Sequence, residues 1–397
     1  MSAFSRNIPV LAFCQAMSMS GASLLIASSA LVGYELAEDK SLSTIPLAVM
    51  FIAVMLTSIP AAMLMKRIGR KAGFLFSTLF AISGAIISTY SIMHHQFIGF
   101  TVGIALIGMF NGFANYFRFA AADAVAKDLK SKAISYVLVG GVIAAVIGPN
   151  LANYTRDSLG DVAFAGSYAS LLGLYFLAII GLSLLKLPDH RDEKFTEQKR
   201  SLKEIAQQPM WVVAVICGML GYGVMSFVMT ATPLAMQHNM HGFSETSFVI
   251  QWHVLAMFAP SFFTGTLIQK VGELKVMFVG ALLGFACVLV NLNGTTLLHF
   301  WIALALLGLS WNFLFVGSTA LLTQTYHPSE RFKVQAFNDF IIFTTVAAAS
   351  LSAGYLQHHF GWRVVNMGVL PLLGVVLVSI VFLGSWEKRN AGFASAE

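Results

Sequence analysis

The chain has 397 residues, of which 57% are hydrophobic and only 11% are charged. Soluble domains carry about 25% charged residues, so this composition excludes an ordinary soluble protein. The formal net charge of +6 raises the question of an acidic partner such as nucleic acid, which the positions of the basic residues answer.

Apolar runs recur along the whole chain. Each is about 20 residues long, which as a helix is enough to cross a hydrocarbon core of roughly 30 Å. A transmembrane β-barrel would instead show alternating segments of about 10 residues. We therefore predict an all-α integral membrane protein with twelve spans, at approximately 8–34, 44–65, 72–93, 97–125, 133–154, 165–186, 209–235, 244–268, 276–293, 298–324, 334–357 and 364–385.

Most lysines and arginines lie in alternate loops of this map. The exceptions are Lys40, Arg156 and Arg363 in the opposite loops, and Arg118 within a span. Basic residues mark cytoplasmic loops, so the pattern predicts that both termini are cytoplasmic. It also explains the positive charge without a nucleic-acid partner.

The cysteines predict neither a disulfide framework nor a metal site. Cys14, Cys217 and Cys287 lie in apolar spans, far apart in sequence. We find no nucleophile–base pair, no metal-ligand spacing and no phosphate loop. We therefore expect no enzyme activity, no metal and no cofactor. The first apolar run is too long for a signal-peptide core, and we keep it as span 1.

Span 4 contains a row of polar side chains. Asn111, Asn115 and Arg118 are spaced by four and three residues, which places them on one face of a continuous helix. An arginine at the centre of a span costs about 2.5–3.5 kcal/mol on insertion scales, so it should face an interior or a cavity and have a partner. We predict an anionic group on the substrate. The alternative is an internal pair with Asp123 or with backbone carbonyls.

Other spans also offer polar groups. Histidine as a residue type titrates near neutral pH, which makes His253 in span 8 a candidate for proton coupling, but a buried histidine is also commonly a satisfied hydrogen-bonding group. Tyr222 and Trp311 have two readings, substrate contact or aromatic packing between helices. The candidate substrate-binding residues besides span 4 are Gln15 in span 1, Tyr222 and Ser226 in span 7, and Trp311 and Asn312 in span 10.

The two halves of the sequence repeat each other. A charged stretch from Leu187 to Pro209 leaves six spans on each side. At an offset of about 203 residues, Gly69 aligns with Gly272 after spans 2 and 8. Corresponding spans keep their direction, so the repeats are parallel. We predict a bundle at 1–190, a cytoplasmic linker at 191–208 and a second bundle at 209–397.

This organisation resembles the major facilitator superfamily of transporters. The resemblance covers nearly the whole chain, and its most specific part is the loop after span 2, similar to the family pattern G-x-x-x-D-R-x-G-R-R. The chain departs from that pattern at Ala62, in place of glycine, and at Lys66, in place of aspartate. The matching loop residues, predicted to act in gating, are Lys66, Arg67, Gly69 and Arg70.

The resemblance implies alternating access, with spans 1, 4, 7 and 10 around a site near the bilayer midplane. It also implies that Asp123 joins the loop through Arg67 or Arg70 as a conformational latch. Asp339 in span 11 has two possible roles. It is either a latch that pairs with the loop cations across the two halves, or the proton carrier. Proton coupling is thus assigned to three candidates: His253, Asp339 and Asp123.

Gly148 and Pro149 in span 5 resemble the start of the antiporter motif of drug-efflux members, although Ala152 and Asn153 follow. The small residues favour close helix packing, and the proline favours a kink. We expect a monomeric, proton-coupled transporter of an amphiphilic or anionic molecule in the bacterial inner membrane, leaning to efflux. The alternative is an importer of an anionic metabolite or siderophore-like compound.

Overall fold

The computed structural model describes residues 3–39, 42, 45–160, 162–187 and 200–394. Lys40 and most of the predicted linker, residues 191–199, lie outside the described residues. Twelve helical segments in the described part are long and apolar enough to cross a membrane, which confirms the predicted membrane fold.

The described α-helices are α1 (Ala3–Leu36), α2 (Ile45–Ile68), α3 (Arg70–Met93), α4 (Phe97–Ala114), α5 (Phe117–Asp123), α6 (Lys130–Leu138), α7 (Gly140–Thr155), α8 (Ala165–Leu184), α9 (Leu202–Ala206), α10 (Pro209–His238), α11 (Phe243–Phe258), α12 (Ser261–Val271), α13 (Glu273–Asn293), α14 (Leu297–Leu322) and α15 (Arg331–Ala394). Most predicted spans correspond to one helix, but three are built from two consecutive helices each: span 4 (α4 and α5), span 5 (α6 and α7) and span 8 (α11 and α12). Spans 11 and 12 share the long helix α15, which has a non-helical glycine, Gly361, between them.

The backbone after spans 2 and 8 repeats the same turn. Gly69 has φ 87° and ψ 155°, and Gly272 has φ 89° and ψ 158°. Residues with a β-carbon rarely adopt this positive φ, so glycine is required at both positions. The turn therefore supports the sequence alignment of Gly69 with Gly272.

Spans 4 and 10 are also equivalent in their packing. In the first half α4 lies against α2 and α3, and in the second half α14 lies against α11 and α13. A β-carbon at Gly108 would lie 2.5 Å from the carbonyl oxygen of Met50, and one at Gly308 would lie 2.5 Å from that of His253. Glycine thus allows each of these spans to approach its neighbour at backbone distance.

The described residues form two compact units. The first contains the described residues up to 127, with 136–187 and 332–347; the second contains 128–135, 200–331 and 348–394. Two short segments belong to a different unit from the rest of their half of the sequence. The start of α15 belongs to the unit formed mainly by the first half, and the start of α6 belongs to the other unit.

Candidate functional site

Span 4 is interrupted where it reaches the predicted site. α4 ends at Ala114 and α5 begins at Phe117. Between them the backbone N–H of Tyr116 donates to the carbonyl of Phe113 at 3.0 Å, a tighter spacing than that of an α-helix. The Tyr116 hydroxyl donates to the Ser58 carbonyl in α2 at 2.8 Å, which holds this break in place.

Arg118 lies just after the break and pairs with Asp339. Its Nη2 donates to Asp339 Oδ1 at 2.5 Å, and the two side chains are only 4% and 1% exposed. Asn338 Nδ2 donates to the same oxygen at 2.9 Å. Asp339 Oδ2 is buried and has no hydrogen-bond partner among the described residues. The carboxylate thus has one oxygen in the ion pair and one that retains acceptor capacity.

This pair was not among the predicted alternatives for Arg118. The sequence predicts a substrate anion, with Asp123 or backbone carbonyl groups as the alternative, but in the structure the protein supplies a carboxylate from span 11. Substrate binding by Arg118 stays a prediction. It now requires that the contact with Asp339 open first, because a buried carboxylate already neutralises the guanidinium.

A second buried arginine lies in the same unit. Arg70 Nη2 donates to Asp123 Oδ2 at 2.5 Å and to Gln335 Oε1 at 2.9 Å. The guanidinium carbon of Arg70 lies 5.1 Å from the ring centroid of Phe332. The structure therefore places Asp123 beside Arg70, one of its two predicted partners. Its action as a latch stays a prediction.

Gln335 and Asp339 are four residues apart and lie on one face of α15. This face contacts both buried arginines, Arg70 through Gln335 and Arg118 through Asp339. We call the five residues that meet here the arginine seam: Arg70, Arg118, Asp123, Gln335 and Asp339.

The partner of Asp339 in the structure differs from the predicted one, which was a cation of the loop after span 2. Lys66 and Arg67 are exposed, whereas Asp339 is fully buried. Exposed cations stay hydrated at the end of the span, and a carboxylate deep in the span needs a cation at its own depth. Arg118 provides that cation, while Arg70 reaches the same helix face through Gln335.

The polar groups of spans 1 and 4 meet in part. Ser18 Oγ donates to Asn111 Oδ1 at 3.3 Å. Gln15, one turn before Ser18, is 8% exposed, and Asn115 is partly exposed at the break in span 4. The structure therefore places Asn111 with span 1 and Arg118 with span 11. Their predicted common face is divided by the turn at Tyr116.

Asn312 in span 10 is fully buried and uses its amide within the protein. Its Nδ2 donates to the Met257 carbonyl and to Ser261 Oγ, both at 2.7 Å, and its Oδ1 accepts from Thr264 Oγ1 at 2.7 Å. These partners surround the break between α11 and α12. These hydrogen bonds give the amide a structural role, and substrate contact at Asn312 stays a prediction.

His253 is also fully buried, and its Nδ1 lies 2.7 Å from the Leu304 carbonyl in span 10. Its Nε2 has no hydrogen-bond partner among the described residues. The bond to Leu304 matches the alternative that we gave for this residue, a hydrogen-bonding group between helices. Proton coupling at His253 stays a prediction.

The remaining candidates pack between neighbouring helices. Tyr222 and Trp311 have ring centroids 5.3 Å apart, and Ser226 Oγ lies 2.8 Å from Ser350 Oγ. In span 5, a β-carbon at Gly148 would lie 2.7 Å from the Ser20 carbonyl of span 1. Gly148 therefore allows close approach of spans 1 and 5, and Pro149 follows it inside α7.

Sequence reasoning missed the contact between Arg200 and Glu330. The Arg200 guanidinium binds both oxygens of the buried Glu330 carboxylate, through Nε at 3.1 Å and Nη2 at 2.6 Å. Glu330 ends a short 3₁₀ turn, Pro328–Glu330, and also accepts from the backbone N–H of His327. The spacing His327-x-x-Glu330 is a capping-box position, which was the available signal for a carboxylate folded back on its own turn.

A multi-pass helical protein with polar and charged groups buried across its spans has the properties of a membrane transporter for small molecules. The family comparison is specific. The profile of the Major Facilitator Superfamily matches residues 11–259 and 214–392. The chain belongs to this superfamily.

Two bacterial relatives match over almost their full length. The riboflavin transporter RfnT of Brucella anthropi is 40% identical over 382 residues, covering 96% of each chain. An uncharacterised MFS-type transporter of Bacillus subtilis, YddS, is 28% identical, covering 97% of this chain and 93% of the relative.

Solved structures show the same fold at low sequence identity. The transporter FucP in its outward conformation has a TM-score of 0.75 at 15% identity, covering 96% of this chain and 99% of that chain. The human organic anion transporter MFSD10 has a TM-score of 0.74 at 13% identity, covering 96% of this chain and all of that one. These likenesses confirm the transporter fold.

Proposed function

We propose that this protein transports riboflavin or a closely related flavin by alternating access. The observation that supports this most is the 40% identity to a riboflavin transporter over 96% of both chains. Riboflavin is an uncharged amphiphile at neutral pH, with a flat isoalloxazine ring and a polyhydroxyl chain. It fits the amphiphilic class of substrate that we expected from the sequence.

The polar groups of spans 1 and 4 are our candidates for the polyhydroxyl chain. Ser18 and Asn111 are in contact, and Asn115 and Gln15 lie within two turns of them along the same helices. Hydroxyl groups of a ligand can both donate to and accept from such amide and hydroxyl side chains. Neutral groups of this kind suit a neutral polyol without requiring a charge on the substrate.

We propose Asp339 as the proton carrier. Its Oδ1 binds Arg118 and Asn338, while its buried Oδ2 has no partner among the described residues and can accept a proton. Protonation removes the negative charge that Arg118 binds and so weakens the ion pair. Opening and re-forming of the Arg118–Asp339 contact would then accompany proton movement, with Arg70 and Asp123 as a second contact at the same seam.

Counterflow in proteoliposomes tests both proposals. The wild-type protein should exchange labelled riboflavin for internal unlabelled riboflavin and should accumulate it when a proton gradient is imposed. Asp339→Asn should keep exchange, which needs no net proton movement, and should lose gradient-driven accumulation. The matched control is Asp157→Asn, because Asp157 is 76% exposed in its pair with Arg156.

The orientation of the effective gradient identifies the direction. Accumulation driven by an acidic outside indicates proton-coupled uptake. Extrusion driven by the same gradient indicates efflux, the direction that the Gly148-Pro149 pattern favours. Absence of riboflavin exchange by the wild-type protein would refute the flavin proposal. Undiminished accumulation by Asp339→Asn would refute Asp339 as the carrier.

A further inference from the structure

Spans 7, 8 and 10 contribute an aromatic cluster to the second unit. The rings of Trp311 and Phe315 are stacked, with centroids 4.8 Å apart and an interplanar angle of 15°. Tyr222 meets both of them edge to face at 5.3 Å, and Phe258 meets Trp311 edge to face at 5.4 Å. Trp311, Phe315 and Phe258 are buried, whereas Tyr222 is partly exposed and gives the cluster its accessible edge.

The backbone positions Tyr222 against span 10. A β-carbon at Gly221 would lie 3.1 Å from Leu314 Cβ, so α10 and α14 approach closely at this level. Tyr222 is the next residue on α10, and Trp311 lies three residues before Leu314 on α14. Close approach at Gly221 therefore brings the two rings into contact and holds them in a fixed geometry.

Trp311 also carries an unused hydrogen-bond donor. The residue is 2% exposed, and its indole N–H has no acceptor among the described residues. Buried donors usually have a partner, because a donor that has lost water without gaining an acceptor destabilises the structure. A ligand that brings an acceptor to this position removes that cost on binding.

We infer that Tyr222 and Trp311 form the subsite for the planar heteroaromatic ring of the substrate, an inference that rests on the proposed flavin transport. Aromatic side chains bind flat rings through stacked and edge-to-face contacts. The isoalloxazine ring carries carbonyl oxygens and ring nitrogens at its edge, and one of these accepts the Trp311 N–H. Specificity for a flavin over an aliphatic solute then comes from these two aromatic side chains.

The same helix provides a matched control. Trp301 also lies in α14, and its N–H likewise has no acceptor among the described residues. Its ring packs with Trp252 at 5.8 Å, and Trp252 is 43% exposed on the surface of the unit. Trp301→Phe therefore removes an indole N–H from the same span outside the proposed subsite.

Quenching of flavin fluorescence on purified protein measures binding. Two probes are needed: riboflavin, and lumichrome, which has the fused ring system without the polyhydroxyl chain. Trp311→Phe keeps an aromatic ring but removes the N–H, and it should weaken the binding of both probes about tenfold, the ratio expected for one lost hydrogen bond. Tyr222→Ala should weaken both by about two- to tenfold, and Trp301→Phe should leave both unchanged.

The results of these measurements test the subsite and the transport proposal separately. If the wild-type protein transports riboflavin and Trp311→Phe binds both probes normally, the subsite is refuted and the transport proposal stands. If lumichrome binding depends on Trp311 but riboflavin is not transported, the subsite stands and the transport proposal fails. If the wild-type protein binds neither probe, both are refuted.

Discussion

Two short helix starts, one in each unit, illustrate how equivalent positions of a repeat can be stabilised by different chemistry. Each follows a 3₁₀ turn, Lys127–Leu129 before α6 and Pro328–Glu330 before α15. The start of α15 contacts its unit through the arginine seam. The start of α6 contacts its unit through what we call the serine seam: Asp128, Ser131, Ser135, Ser261, Gly265 and Gln269.

Contacts of the serine seam are made by hydroxyl, amide and backbone groups at short distances. Ser135 Oγ donates to the Ser261 carbonyl at 2.5 Å and accepts from the Gly265 N–H at 3.1 Å. Gln269 Nε2 donates to the Asp128 carbonyl at 2.6 Å. These groups carry no net charge, whereas the arginine seam contains two guanidinium–carboxylate pairs. The proposed proton carrier, Asp339, thus belongs to the arginine seam, whereas the contacts of the serine seam depend on close steric fit.

The strongest test of this contrast is Arg118→Ala. It leaves the buried Asp339 carboxylate without its cation, which should destabilise the protein by about 3–5 kcal/mol and abolish transport. Thermal unfolding in detergent and uptake in proteoliposomes measure the two effects. The double variant Arg118→Ala/Asp339→Ala removes both charges, so it should recover much of the stability but none of the transport. Normal transport by Arg118→Ala would contradict a role for the arginine seam.

At the serine seam the corresponding test is steric. A β-carbon at Gly265 would lie 2.7 Å from Lys132 Cα and 2.8 Å from the Ser131 carbonyl, both backbone atoms that have little freedom to move. Gly265→Ala should therefore destabilise the protein by about 1–3 kcal/mol through overpacking, measured as a lower unfolding temperature.

Gly173→Ala is the control for Gly265→Ala. Gly173 lies inside α8, and a β-carbon there meets nothing within 4 Å among the described residues. Alanine is the better helix former, so this variant should be neutral or slightly more stable. Equal unfolding temperatures for the two variants would show that the close approach at Gly265 is not needed.

Much of the fold followed from local sequence patterns. Apolar runs of sufficient length predicted the twelve spans, and the aligned glycines predicted equivalent turns because positive φ is a local property of glycine. These two inferences require no knowledge of which distant spans touch. The placement of Asp123 beside Arg67 or Arg70 was instead implied by the resemblance to the transporter family.

The pair of Arg118 and Asp339 could not be predicted in this way. The two residues are 221 positions apart, and helical periodicity identifies a polar face without identifying the span that covers it. The predicted common face of Asn111, Asn115 and Arg118 also required a continuous helix, which the turn at Tyr116 interrupts. In addition, the sequence does not reveal the three partners of Asn312 around the break in span 8.

The smallest expected effect comes from the second copy of the Arg70–Asp123 contact. In the second half of the sequence, Glu273 and Gln324 occupy the positions equivalent to Arg70 and Asp123. Gln324 Nε2 donates to Glu273 Oε1 at 2.8 Å on an exposed surface. Because exposed polar pairs contribute little, Glu273→Gln should change stability by less than about 0.5 kcal/mol and leave transport unchanged. Arg70→Gln is its matched partner, and it should lower transport, because Arg70 is 8% exposed and joins Asp123 to Gln335. Equal effects of the two variants on transport would mean that the position in the repeat matters and the buried charge does not.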